Sequence, residues 1–356
     1  MDKRINFFLL VLILSFSNGQ TLINRFRVPV TVHSSIAMGY DSNFLRLSER
    51  DIEETNPEKL GLSSTVDSPV IKPAVKLLYS PFLWKGHQSI LSASVNYSSY
   101  TQSQQKKYSI AQFSAAVKVK PYSWIKAGYR VIPKYYLRKY RDRDVSITDY
   151  EICSFTSEKL YLSYSQPFPF IPKGWLQVTI DQTTEFYNPE FTEFDLRKIT
   201  VTGDINFRAM KKSKVKLSFS HTRADNISFN STLPSTNVDR SYNADKLKIS
   251  YSGRVNGLPI VKSIGVSQSI EQRFYDLNST HYRLDNWKHY IDGRTIFWMD
   301  WKSSYDFSIK TKCQYRWRHA DSNIAGDFEW VEEVKSYQKF EFWVEIGYKF
   351  TWDGLY

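Results

Sequence analysis

The residues with the clearest chemical potential are cations that recur at every fourth position between residues 124 and 138: Lys126, Arg130, Lys134 and Arg138. In an extended strand, residues an even number of positions apart face the same side, so these cations form one row with about 13 Å between neighbours. A second stretch repeats the pattern with Lys310, Lys312, Arg316 and Arg318. Such rows concentrate anions when they line a water-filled space with low-dielectric walls.

The two rows differ in the acids beside them. The second row lies between segments that carry Asp300, Glu341 and Glu345, so we predict that it serves mainly as a salt-bridge network. The first row has chiefly Glu151 for a neighbouring acid, and Lys118 adds to its charge. The first row is therefore the stronger candidate for solute selectivity.

The last predicted strand shows which structure could present these rows. It reads SYQKFEFWVEIGYKF over residues 336–350, and its large apolar residues alternate with charged ones. It resembles the C-terminal strand of Gram-negative outer-membrane β-barrels, which ends at an aromatic residue that the barrel-assembly machinery reads. That resemblance implies an assembly signal formed by Phe342, Val344, Ile346, Tyr348 and Phe350, although six residues follow Phe350.

The N-terminus has the features of a secretory signal peptide. Lys3 and Arg4 precede an apolar run over residues 7–16, and Ser17 and Gly19 provide small residues for cleavage. We expect a signal peptide at residues 1–19 and a mature chain at residues 20–356. No later apolar run approaches the roughly 18 residues that a spanning helix needs.

Composition favours a barrel over a soluble sheet protein. Mean hydropathy is −0.44, yet the chain contains 10 Trp, 24 Tyr and 23 Phe. Aromatic girdles at both water interfaces and a polar lumen explain this combination. A soluble sandwich would need inner faces of Leu, Ile and Val, and no repeat of propeller length is present. We expect the two cysteines, Cys153 and Cys313, to be free thiols.

Alternation predicts an all-β fold, an antiparallel transmembrane β-barrel of fourteen strands in the bacterial outer membrane. Short turns alternate along the chain with longer polar connections, which is typical of such barrels. The predicted strands are 28–40, 70–79, 88–99, 108–119, 124–138, 150–164, 175–186, 196–207, 214–223, 244–252, 260–275, 294–302, 307–319 and 336–350.

Barrels of this size and strand number include long-chain fatty-acid transporters and monomeric porins. The transporters carry a hatch domain before the first strand, where this sequence has only residues 20–27. The resemblance, which covers architecture alone, favours an unplugged porin-like barrel.

The connection after the first strand is acidic. Residues 41–67 include Glu49, Asp51, Glu53, Glu54 and Glu58. Opposite charge would draw this loop into a basic lumen, where we expect it to act as a gate or constriction. A solvated external loop is the alternative.

The sequence favours a passive channel over an enzyme. The six histidines show no metal spacing and no nucleophile motif accompanies them, so we predict no catalytic residue, metal or cofactor. The cluster of His281, His289, Asp285 and Asp292 in one predicted loop leaves a lipid-active enzyme as one alternative. An adhesin-like barrel that binds partners through residues 226–240 and 276–292 is another.

The formal net charge of +12 fits anionic or polar small solutes as the transported class. Nucleic acid is a poorer explanation of this charge, because the signal peptide directs the chain to the envelope. The expected partners are outer-membrane lipid, the barrel-assembly machinery and those solutes.

Overall fold

The protein was analysed as a computed structural model. The structure describes residues 25–54, 57–83, 87–142, 144, 149–210, 212–233, 236, 239–255, 257–276, 287–303, 306–322 and 335–353. The predicted signal peptide lies outside these residues.

Fourteen long strands make up the fold, as the alternation predicted. In chain order they are β1 Val30–Asp41, β2 Ser68–Tyr79, β3 His87–Tyr100, β4 Ser103–Lys120, β5 Ser123–Arg141, β6 Tyr150–Phe168, β7 Gly174–Tyr187, β8 Leu196–Met210, β9 Ser213–Asn226, β10 Tyr242–Arg254, β11 Val261–Tyr275, β12 Trp287–Trp301, β13 Phe307–Ser322 and β14 Tyr337–Trp352. The short elements are a two-residue strand, Phe82–Leu83, helices α1 Glu49–Glu53 and α2 Pro57–Leu60, and a 3₁₀ turn, Pro189–Phe194.

Every strand pairs antiparallel with its neighbours in sequence, and the first and last strands close the ring. β1 pairs with β14 from Val30–Trp352 to Asp41–Glu341 without a register shift. Closure gives every strand two partners, so no edge is left to present unpaired backbone groups to lipid.

The two ends of the barrel differ. Only two residues separate β4 from β5, and two separate β8 from β9, at the end that holds both termini of the barrel. The longer connections 42–67, 188–195 and 227–241 join strands at the opposite end. We call these the turn end and the loop end. The asymmetry is that of bacterial outer-membrane barrels, whose short turns face the periplasm.

The apolar parity of each strand faces outward. On β14 the exposed side chains include Phe342, Ile346, Tyr348 and Phe350, each at least 40 % accessible. Other strands present the following large apolar side chains on the same surface: Met38, Val75, Val95, Phe113, Leu160, Leu162, Ile180, Val201, Phe219, Leu247, Ile270 and Phe297. An apolar band around a closed barrel is the surface that a bilayer covers.

Two features depart from the expected alternation. β12 begins at Trp287, so Asp292, which we expected in a loop, belongs to a strand. A β-bulge interrupts β5 between Ile132 and Tyr135. A bulge adds one residue to a strand and reverses the facing of those beyond it, which sequence periodicity alone does not reveal.

Large inward aromatic rings lie flat against glycines on the neighbouring strand. A Cβ built on Gly265 would lie 2.1 Å from the ring of Trp298, and one on Gly39 would lie 2.3 Å from Trp343. Glycine is therefore required there by close approach of the ring. A Cβ on Gly203 meets nothing within 4 Å.

We expect Gly265→Ala to destabilise the barrel by about 1–3 kcal/mol, because the new methyl group must displace the Trp298 ring. Gly203→Ala is the matched control, since its methyl group meets open space. Heat-dependent mobility of the refolded barrel on detergent gels measures the difference. Equal unfolding temperatures for the two variants would contradict the packing argument.

The lumen as candidate functional site

The inward parity of the strands is mostly polar, and it contains both rows of cations predicted from the sequence. Inward facing follows from register with strands whose outward side chains are exposed apolar residues. On β5, Lys126 pairs with the inward Ser163 and Arg130 with Lys159. Lys126 also lies 5.6 Å from the ring centroid of Tyr161.

The bulge changes the next position of this row. Tyr135, and not Lys134, lies opposite the inward Phe155, and its ring packs 4.8 Å from Tyr108 and 5.2 Å from Phe155. Lys134 is exposed and stands outside the row. The expected inward position of Lys134 is therefore corrected to Tyr135.

A second bulge returns Arg138 to the lumen. It pairs with Cys153, which is fully buried. Its guanidinium donates a 3.2 Å hydrogen bond to the carbonyl oxygen of Arg46, in the connection after β1. Cys153 and Cys313 are both free thiols.

The row on β13 is joined to acids of its neighbours. Arg316 donates two 2.8 Å hydrogen bonds to the carboxylate of Asp292. Arg318 contacts the same carboxylate at 3.0 Å. Gln314, between the two pairs of cations, donates to Glu341. From the sequence we predicted Asp300, Glu341 and Glu345 as partners. Asp292 was not predicted, because we expected β12 to begin at residue 294 and it begins at Trp287.

The other two cations of this row lie beside tryptophans. Lys312 lies 5.5 Å from the ring centroid of Trp343, and Lys310 lies 5.9 Å from that of Trp298. Lys72 of β2 approaches the Trp343 ring to 3.7 Å. These distances lie within the range of cation–π attraction.

Several lysines elsewhere on the wall are neutralised by acids on adjacent strands. Lys159 pairs with Asp181 at 2.8 Å. In the pairs Lys216–Asp204 and Lys246–Glu271, the lysine Nζ lies 3.0 Å from a carboxylate oxygen. Lys126 and Arg130 differ, because no ion pair forms within 4 Å of either among the described residues.

The connection between β1 and β2, residues 42–67, enters the barrel at the loop end. We call it loop 1. Phe44, Leu45 and Leu47 are at most 3 % exposed. Their apolar cluster includes side chains from five surrounding strands: Val70, Tyr100, Tyr108, Tyr136 and Trp343. Burial of an apolar side chain contributes roughly 1.5–3 kcal/mol, so three of them hold the loop against the wall.

Asn43 fixes the turn that carries these residues. Its amide group donates to the carbonyl oxygens of Leu47 at 2.8 Å and of Gln338 at 3.1 Å. Its side-chain oxygen accepts from the Leu47 amide at 2.8 Å. One buried side chain thus closes the turn and ties it to β14.

Arg46, at the tip of this turn, lies within electrostatic range of several side chains of the wall. It interacts electrostatically with Tyr135 of β5 and with Asp292 of β12. β5 and β12 are half a circuit apart in the ring of strands, so they form opposite walls. The apolar turn of loop 1 therefore packs inside the ring of strands.

Three of the predicted gating acids have partners other than cations of the wall. Asp51 pairs with Lys59 of the same loop, and Glu54 pairs with Arg50 at 2.7 Å. Glu49 accepts a hydrogen bond from Gln338. Glu53 lies in α1 and is exposed, and the side chain of Glu58 is outside the described residues. Apolar residues and Arg46 make the contacts that hold the loop inside the barrel. The charge pattern of the sequence did not indicate these contacts.

Of the predicted histidine cluster, the structure describes Asp292 and the backbone of His289. Asp292 is engaged by two arginines of the lumen, and the His289 backbone lies in β12. His281 and Asp285 are outside the described residues. Among the residues that the structure describes, no group of three or more His, Cys, Asp or Glu side chains could hold a metal ion.

A buried carboxylic acid with an unpartnered oxygen lies in the turn between β7 and β8. Glu193, in the 3₁₀ turn between β7 and β8, is 6 % exposed and one of its oxygens has no hydrogen-bond partner. Burial raises the pKa of Glu193 to about 7, against the opposing attraction of Arg240. It lies in an outer turn beside the end of β5, where Phe191 of the same turn packs 6.2 Å from the ring of Tyr140.

A closed ring of strands, an apolar band outside and a polar interior together form a surface for lipid and an interior for water. The chain is a closed antiparallel β-barrel of fourteen strands with an apolar outer band. No helix within the described ranges is long and apolar enough to cross a membrane.

Comparisons with known proteins found similarity only in shape. No family model matches the chain, and no curated protein sequence matches it. The outer-membrane channel DcaP of Acinetobacter baumannii is 10 % identical, with 90 % of this chain and 97 % of that one covered and a TM-score of 0.46. An anion-selective porin from Comamonas acidovorans is 7 % identical, with 90 % and 98 % covered and a TM-score of 0.41. These similarities are too weak to transfer a function.

We expect Asn43→Ala to loosen loop 1, because it removes three hydrogen bonds at a buried position, at a cost of about 1–3 kcal/mol. Trypsin should then cleave the folded barrel after Arg46 and Arg50 at rates at least several-fold above wild type. Glu54→Gln, which changes an exposed side chain of the same loop, is the control. Cleavage of both variants at the wild-type rate would contradict the role of Asn43.

Proposed function

We propose that the protein is a passive outer-membrane channel for small polar solutes, that it prefers anions, and that loop 1 forms its constriction. The observation that carries the proposal is the pair Lys126 and Arg130, inward cations of β5 without an ion pair among the described residues. A cation that already has a carboxylate partner contributes little to the field felt by a passing ion. A cation without one attracts anions and repels cations.

Most other inward charges support the barrel rather than the solute. Asp292 joins β12 to β13 through two arginines, and Lys216 joins β9 to β8 through Asp204. These pairs hold neighbouring strands at fixed separation. The remaining positive charge is available to the lumen, which supports anion preference.

Replacement of Lys126 and Arg130 by serine should reduce anion selectivity. Wild-type channels in planar bilayers under a potassium chloride gradient should show a reversal potential of the sign set by chloride, and the double variant should move that potential towards zero. Lys134→Ser is the matched control, because the bulge removes Lys134 from the inward row.

An unchanged reversal potential in the double variant would contradict the role of these two cations. A folded wild-type protein that gives no current would contradict the channel itself and would favour a barrel that acts through its outer loops.

Shortening loop 1 should raise conductance. Asp41 and Ser68 are register partners at the ends of β1 and β2, so a short Gly/Ser linker in place of residues 43–66 can still join the two strands. Because Phe44, Leu47 and Arg46 then leave the lumen, we expect a several-fold rise in single-channel conductance. The control shortens the connection 227–241, whose Ile227 hydrogen-bonds to Asp195 of the adjacent outer turn. Equal conductance of wild type and loop 1 variant would contradict a constriction by loop 1.

A further inference from the structure

We propose that Lys248, Ser269 and Arg294 form an oxyanion-binding subsite on the wall opposite β5, which takes solutes that carry a phosphate or sulfate group. The inference rests on the proposed channel function, because solutes reach this wall through the lumen. The subsite specifies phosphate and sulfate groups as the chemical class that binds in the lumen, and the charge of β5 alone does not specify this class.

Register brings the three residues together. Lys248 of β10 pairs with Ser269 of β11, and Ser269 pairs with Arg294 of β12. All three occupy the inward parity, since Leu247 and Ile270 beside them are exposed on the apolar band. Two strand spacings separate the backbones of Lys248 and Arg294, about 10 Å, so both long side chains can converge above the Ser269 hydroxyl.

The acids around the subsite are committed to other cations. Lys216 and Lys246, the basic neighbours of Lys248, pair with Asp204 and Glu271 at 3.0 Å. Among the described residues, Lys248 forms no ion pair within 4 Å, and its electrostatic neighbours include Lys216, Lys246 and Arg294. Lys248 therefore lies among cations, with Asp204 the one carboxylate among these electrostatic neighbours and that carboxylate paired with Lys216.

Arg294 has a similar environment. Its guanidinium donates a 2.5 Å hydrogen bond to Gln314, and it forms no ion pair within the described part of the chain. The nearby carboxylate of Asp292 is engaged by Arg316 and Arg318. Glu341, a further electrostatic neighbour of Arg294, pairs with Lys339 and accepts from Gln314. The Arg294 side chain is exposed.

The combination suits a tetrahedral oxyanion. A guanidinium gives paired donors to two oxygens, an ammonium gives a compact charge, and a hydroxyl gives a neutral donor. A monovalent halide uses the charge but not the paired geometry. The subsite should therefore favour phosphate and sulfate over chloride, and the same contacts serve the free ions and their monoesters.

Binding of inorganic phosphate to the full-length detergent-solubilised barrel, measured by isothermal titration calorimetry in chloride buffer, tests the proposal. Wild type should bind phosphate, and Lys248→Gln/Arg294→Gln should weaken binding at least tenfold. Lys246→Gln is the matched control on the same strand, because Lys246 is already paired with Glu271. Thermal unfolding of each variant shows that the barrel remains folded.

A second measurement separates this subsite from the channel function. Millimolar phosphate added to planar bilayers should reduce the chloride current of wild type and leave that of the double variant unchanged. Phosphate binding without any current would retain the subsite and reject the channel. Current without phosphate binding would retain the channel and overturn the subsite, as would equal binding by wild type and the double variant.

Discussion

The pairing of the first strand with the last is the interaction on which the rest of this structure depends. A sheet in lipid cannot leave backbone donors and acceptors unpaired, so the fourteen strands are viable only as a closed ring. The unbroken register from Val30–Trp352 to Asp41–Glu341 closes that ring. Closure also fixes which parity faces outward, because one parity must be apolar and the other then lines an aqueous space. Closure therefore determines whether a charged residue of a strand faces lipid or the lumen.

Inside the ring, the distribution of acids decides what each cation does. Asp292 is shared by two arginines, and Asp204 and Glu271 each hold one lysine. Most of these contacts cross between adjacent strands and stabilise the wall. Cations without an ion pair among the described residues include Lys126 and Arg130 on β5 and, on the other side of the lumen, Lys248 and Arg294 on β10 and β12. Neutralised and free cations alternate along the wall, so net charge alone describes the lumen poorly.

Strand alternation predicted the fold class, the strand count and nearly all strand positions, because each side chain of a spanning strand has only two environments. It failed where the period of two was broken or hidden. The bulge before Tyr135 adds a residue that periodicity does not mark, and the polar start of β12 concealed Asp292. We expected opposite charges to draw loop 1 into the lumen. The buried side chains of Phe44, Leu45 and Leu47 hold the loop against the wall. The row of Lys248, Ser269 and Arg294 depends on register between three strands, which no single segment contains.

The contacts of loop 1 with β14 have a consequence for the seam of the barrel. Lys339 of β14 binds Asp41 at the end of β1 at 2.7 Å, and Asn43 reaches the backbone of Gln338. These groups are nearly 300 positions apart in sequence, at the one junction where the pairing strands come from opposite ends of the chain. Loop 1 thus fastens this junction from within. Its contact with Trp343 requires the last strand, so this part of the packing of loop 1 depends on closure of the barrel.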